Sequence, residues 1–281
     1  MDGPSQSFFA RHEFVIRRLH SLSGLLPVGL YMTVHLVTNA SVLNGPGTFQ
    51  KNVYTIHSLG KLLPLVEWTF IFIPILFHAI VGVMIAVGMI PNTRDYPYGA
   101  NRRYTWQRWT GLIAFVFILY HVFHMHGWFH WNWWLHDVAE PFGGAQFRPY
   151  NAASTAGEAL QSPIILIFYM VGALACVFHF ANGLWTMGIT WGVWISPPAQ
   201  ARALKACMTF GVLLALVTLG ALFGMRQAGR PPELEQAIQI EDKMYQSRID
   251  TGEIEPNEHK RTASDESKSA PASESETAPK E

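Results

Sequence analysis

Four histidines sit inside long apolar runs of the chain: His35, His78, His121 and His179. Metal-ligating or ionisable residues deep in a bilayer are expensive, and by default they mark a functional site. One intramembrane histidine is as readily an interhelical hydrogen-bond partner as a ligand. Four, one on each of four runs and expected at similar depth, change that balance. Two haems b with bis-histidine coordination need four neutral imidazoles facing into a helical bundle.

The flanks of these histidines carry further information. His78 lies in Phe77-His78-Ala79-Ile80-Val81-Gly82 and His179 in Phe178-His179-Phe180-Ala181-Asn182-Gly183. Both read FHxxxG, with a glycine one turn beyond on the same helical face, where a missing side chain leaves room for a flat macrocycle. The first and third runs also resemble each other. Arg17-Arg18 and Gly24 precede His35, as Arg102-Arg103 and Gly111 precede His121. That likeness suggests pairing His35 with His121 and His78 with His179, although depth alone leaves the pairing open.

Other polar residues compete for roles. His124, one turn from His121, is placed to contact a porphyrin edge. His126, His130 and His136 fall in an aromatic girdle and read as surface residues. His20, beside two arginines, is either a haem-propionate contact or an ordinary interfacial histidine. Arg17, Arg18, Ser21 and Arg108 are candidates to share the propionates, because carboxylates favour arginine forks. Glu67 lies about six residues into the second run. It is either a proton-exchanging acid near a quinone site or a snorkelling interfacial glutamate.

The elements that must hold these residues are membrane helices. Charged residues make up only 14% of the chain, against about 25% in a soluble domain, and 21 of the 40 follow Met225. Five segments are long and apolar enough to span, at roughly 19–43, 62–90, 108–130, 162–195 and 202–224. Lys and Arg in the flanks number nine on one side and three on the other, which places the amino terminus in the cytoplasm and the carboxyl terminus outside. The sequence HGWFHWNWWLHD, with four Trp in seven residues, reads as a girdle at the outer surface. The expected division is an amino-terminal arm at 1–18, a transmembrane domain at 19–225, and a polar, largely disordered tail at 226–281. A short interfacial helix at 232–247 is allowed within that tail, since its polar remainder buries too little apolar area to order itself. Cys176 and Cys207 offer no disulfide framework and no covalent haem attachment. No cleavable signal pattern precedes the first run, and no nucleic-acid partner is expected.

The segments RRLHSLSGLLPVG, PILFHAIVG and VFHFANGLWTMGITWGVWISP, over roughly 14–225, resemble one family. It is the cytochrome b membrane-anchor subunit of succinate:quinone oxidoreductases, in its single-subunit, five-helix, two-haem form. The resemblance implies an all-α integral membrane bundle in a bacterial cytoplasmic membrane. It implies one haem on His35 and His121, nearer the outer surface. A second haem falls on His78 and His179, nearer the cytoplasmic flavoprotein and iron–sulfur subunits that carry FAD and the clusters. It further implies electron transfer between the iron–sulfur subunit and membrane quinone, usually menaquinone, and an acid at the place of Glu67. Some fumarate-reducing members have a glutamate two residues before the fourth-helix ligand; here that position is Val177, so that proton path is in doubt. Two rivals remain. The quinone-reacting cytochrome b of a hydrogenase or formate dehydrogenase would co-purify with a nickel or molybdenum enzyme. A transporter using histidines as proton relays would be colourless.

Overall fold

The computed structural model describes residues 8–88, 93–257 and 260–262. The described residues contain no strand, only an isolated bridge between Arg148 and Asn151. Five helices among them are long and apolar enough to cross a membrane: α1 (Arg11–Asn44), α3 (Gly60–Val87), α4 (Gly99–His126), α6 (Pro163–Thr190) and α7 (Pro197–Ala228). Shorter helices lie between or after them, among them α2 (Pro46–His57), α5 (Ala152–Ala159) and α8 (Glu233–Asp250). The spans agree with the expected ones in number and order. Their ends differ by up to a few turns, because the helices continue past the apolar run into polar flanks such as Gly99–Arg108.

Local chemistry explains the helix ends and bends. Pro163 and Pro197 sit in the first turns of α6 and α7, where a missing N–H costs nothing. Gly127 ends α4 in the left-handed conformation, with its N–H donating to the Phe123 carbonyl at 2.7 Å. Pro27 removes a ladder hydrogen bond inside α1, and Gly24–Gly29 widens there into a π-helical turn.

α4 packs along α6, α6 along α7, α7 against α1, and α1 against α3. Large apolar side chains point outward in the inverse of a soluble protein; Leu30 is 62% exposed and Val87 81%. Lipid would cover them, and helices suit that setting because they satisfy most backbone polar groups within one segment.

One end of the bundle is basic, with Arg17, Arg18, Arg102, Arg103 and Arg108. The other end is capped by folded polypeptide. There α2 and α5 are locked together by Gln50, which is fully buried; its Nε2 donates to the Pro149 carbonyl at 2.7 Å and its Oε1 accepts from Ala152 N–H at 2.9 Å. α8 docks on the same cap. The carboxylate of Glu241, also fully buried, accepts from Ala153 N–H at 2.6 Å, Ser154 N–H at 3.2 Å and Ser154 Oγ at 2.5 Å. These donors are at the amino end of α5, where the helix dipole favours an anion.

The short helix expected at 232–247 is present as α8 over 233–250, packed on the cap, and Lys260 to Thr262 attach beside it. The Lys260 carbonyl accepts from Tyr150 N–H at 2.8 Å, and Thr262 N–H donates to Asn151 Oδ1 at 3.0 Å. The helix is held by these buried hydrogen bonds and by Tyr245, whose ring packs on Tyr150, itself stacked on Tyr54. The expectation for 263–281 lies outside the described residues.

Candidate functional site

The structure brings the four histidines together as two pairs. His78 and His179 stand with ring centroids 6.1 Å apart and ring planes at 86°. His35 and His121 stand at 5.9 Å and 72°. Two imidazoles on opposite sides of one metal, each bonded at about 2 Å, have centroids about 6 Å apart. Both pairs meet that spacing.

The pairs stand at two levels, unlike the similar depths read from the span ends alone. Gly111, against the His179 ring, precedes His121 by ten residues on α4, or about 15 Å of helix. The His78–His179 pair is nearer the basic end, and the His35–His121 pair nearer the cap. Antiparallel neighbours put equal distances from opposite helix ends at different heights.

At the inner, basic-end pair the surroundings repeat. His78 Nδ1 donates to the His20 carbonyl at 2.9 Å, and His179 Nδ1 donates to the Gln107 carbonyl at 2.9 Å. Each carbonyl lies four residues before a glycine, Gly24 or Gly111, and each glycine faces the ring of the same histidine. A methyl group on Gly24 would overlap the His78 ring, and one on Gly111 would come within 2.8 Å of His179. Donation from Nδ1 fixes the tautomer and leaves Nε2 as the basic nitrogen, the usual arrangement behind a metal-ligating imidazole. Gly82 and Gly183 of the FHxxxG segments do something other than expected. Gly82 faces the His20 ring and Gly183 the Gln107 amide, so they admit the two residues that clamp the ligands.

At the outer pair the partners are side chains. Asn39 Nδ2 donates to His35 Nε2 at 3.1 Å, and the Tyr169 hydroxyl lies 3.3 Å from His121 Nδ1 and 2.8 Å from His124 Nδ1. His124 is buried between Tyr169 and Tyr120, one turn from His121. His126 and His130 are exposed, their rings 5.9 Å apart, and His136 pairs with Glu140 at 3.0 Å.

The remaining candidates gather at the basic end. The His20 ring stacks on His78 at 4.0 Å, and its Nδ1 is a buried nitrogen without a partner, as are Arg103 Nε and Arg108 Nε. Such orphaned donors fit a group that brings carboxylates. Ser21 Oγ accepts from Trp191 Nε1 at 3.0 Å, and Arg18 lies over Trp191. Arg108 stacks 3.2 Å over the Tyr104 ring. Arg17 instead forms an exposed ion pair with Glu13 at 2.7 Å. Glu67 is half-buried toward the cap, within electrostatic reach of Tyr31 and Lys260. Outside the spans, burial and then the Lys260 charge lower the His57 pKa to about 4.

Sequence reasoning did not single out Gln107, Asn39, Tyr169 or Asn182, whose amide donates to Gln107 Oε1 at 2.7 Å. The one signal available was that Gln107 stands four residues before Gly111, as His20 stands before Gly24.

A five-helix membrane bundle that lines up imidazole pairs at two levels is the architecture of a membrane cytochrome b. No family model matches the chain. It is 35% identical, over 211 residues, to the succinate dehydrogenase cytochrome b558 subunit of Bacillus subtilis (strain 168), a match covering 75% of this chain and 96% of that protein. The chain belongs to the succinate dehydrogenase cytochrome b subunit family. About a quarter of it has no counterpart in that relative.

Proposed function

We propose that this chain is the dihaem membrane anchor of a succinate:quinone oxidoreductase, carrying electrons between an iron–sulfur subunit and membrane quinone. The observation that carries the proposal is the two histidine pairs at 6.1 and 5.9 Å, the inner one backed by carbonyls on Nδ1. His78 and His179 would hold one haem b, and His35 and His121 the other. Haem b at these positions would supply one-electron transfer across the bundle.

The residues of the chain do the rest. The His20 and Gln107 carbonyls hold the inner imidazoles in one tautomer. His20, Ser21, Arg103 and Arg108 present donors for propionates at the basic end, which on the distribution of Lys and Arg faces the cytoplasm and the flavoprotein and iron–sulfur subunits. Arg17, held by Glu13, is the weakest of the proposed contacts. Toward the cap, Glu67 is placed to exchange the protons that two-electron quinone chemistry requires. Menaquinone is the quinone proposed.

The test is a pyridine haemochrome assay on the purified complex. Two haems b per chain are expected, falling to one or none in His78→Ala. Full haem content in that variant would reject the assignment. A succinate:quinone reductase assay then reads the electron path.

A further inference from the structure

The third span carries a feature that the histidine pairs do not use. Arg102, Thr105, Trp109, Ile113 and Val116 recur at three- and four-residue steps, so they form one stripe along α4. The stripe is graded, from a cation and a hydroxyl near the helix start, through an indole, to branched aliphatics at mid-span. Two hollows lie along it. One of about 410 Å³ is lined by Thr93, Arg102, Thr105, Trp106 and Trp109. The other, of about 290 Å³, is an apolar groove between α4 and α6, running from Trp109 to Phe117 with Phe168 and Val171 on its far wall. Trp109 lines both.

Phe117 closes the floor of the groove, its ring packed over Gly172 of α6 where a side chain would otherwise stand. Trp109 is 52% exposed, Val116 58% and Val171 54%, so the groove opens to lipid rather than to the bundle interior. Arg102 forms no ion pair among the described residues. The first turn of α4 adds N–H groups that the N-cap residue Tyr98 does not satisfy with its side chain.

We infer that this stripe binds an anionic glycerophospholipid, with the phosphate at Arg102 and one acyl chain in the groove. The argument for this occupant is complementarity of both charge and length. A free phosphate would leave the apolar groove open, a quinone brings no charge for Arg102, and a zwitterionic lipid carries its own cation to the phosphate. From Trp109 to Phe117 the groove covers about 12 Å of helix, room for a substantial part of an acyl chain.

The test uses the protein purified from membranes with its bound subunits and stripped of lipid in detergent. Thermal unfolding is followed by tryptophan fluorescence, a readout independent of haem. Phosphatidylglycerol should raise the midpoint by about 5 °C, while phosphatidylcholine of the same acyl chains and glycerol phosphate should each raise it by less than about 1 °C. Arg102→Gln should abolish the phosphatidylglycerol increment, and Val116→Trp, which fills the groove, should reduce it. Arg202→Gln, a basic residue on α7, should leave it intact. Equal stabilisation by both lipids, stabilisation by glycerol phosphate alone, an unchanged increment in Arg102→Gln, or displacement of the lipid by added menaquinone would overturn the inference. If Arg102→Gln does not assemble, Val116→Trp decides the matter by the same comparison.

Discussion

The two histidine pairs are alike in spacing and unlike in what stands behind them. The inner pair is braced by backbone carbonyls, His20 on α1 and Gln107 on α4, each set four residues before a glycine that lets the ring approach. At the outer pair no backbone carbonyl plays that part: the Tyr169 hydroxyl stands at His121 Nδ1, and Asn39 meets His35 at Nε2. A carbonyl brace survives most substitutions of its own residue, whereas a side-chain brace is lost with one mutation. The inner pair is therefore built for fixed geometry, and the outer pair is open to tuning by sequence. The duplicated brace also shows that α1–α3 and α4–α6 are two uses of one helix-pair design.

The largest effect should come from breaking the inner pair. His179→Ala is expected to remove one of two haems and to impair assembly; full haem content by pyridine haemochrome would refute it. Gly111→Ala tests the brace rather than the ligand. Its methyl group would press the His179 ring off the Gln107 carbonyl, so haem content should fall toward one per chain and stability by about 1–3 kcal/mol. Wild-type haem content there would show that the close approach is not needed.

Glu67→Gln sharpens the contrast from the cap end. Quinone reduction should slow by about 10²-fold with both haems retained, and unchanged turnover would return Glu67 to an interfacial role. Tyr169→Phe removes one hydroxyl shared by His121 and His124. It should shift one haem midpoint potential in a redox titration and leave the other where it was. A shift of both, or of neither, would break the proposed independence of the pairs.

The smallest effect concerns docking of α8. Burial pushes the Glu241 carboxyl up to about 7, against the hydrogen bonds from Ser154 and Ala153 that favour its ionised form. The folded state then holds a proton that the undocked helix releases at ordinary carboxylate pKa. Docking should be tightest at low pH and weaken as the pH rises through 7. Hydrogen exchange of 233–250 at pH 5.5 and 8 reads this, and Glu241→Gln should flatten the dependence.

Much of the fold was legible from sequence because a bilayer imposes a length: about 20 apolar residues for each span. The histidines were legible for the same reason, as costly polar groups in apolar runs. The pairing was suggested by the internal likeness of α1 and α4. The braces were not legible, since any residue supplies a carbonyl and the partners lie 58 and 72 positions apart. A helix near 232–247 was legible, but its docking was not, since that rests on Glu241 meeting Ala153 and Ser154 some 87 positions away.

By itself, then, the sequence determined five membrane helices and four imidazoles among them, since burial in lipid penalises everything else at those positions. Only the tertiary structure decided how the rings of each pair stand to one another and that glycines admit their clamps. It also decided that residues after the last span fold back over the bundle. Those outcomes depend on helix register and close packing between distant segments, and no local pattern encodes either.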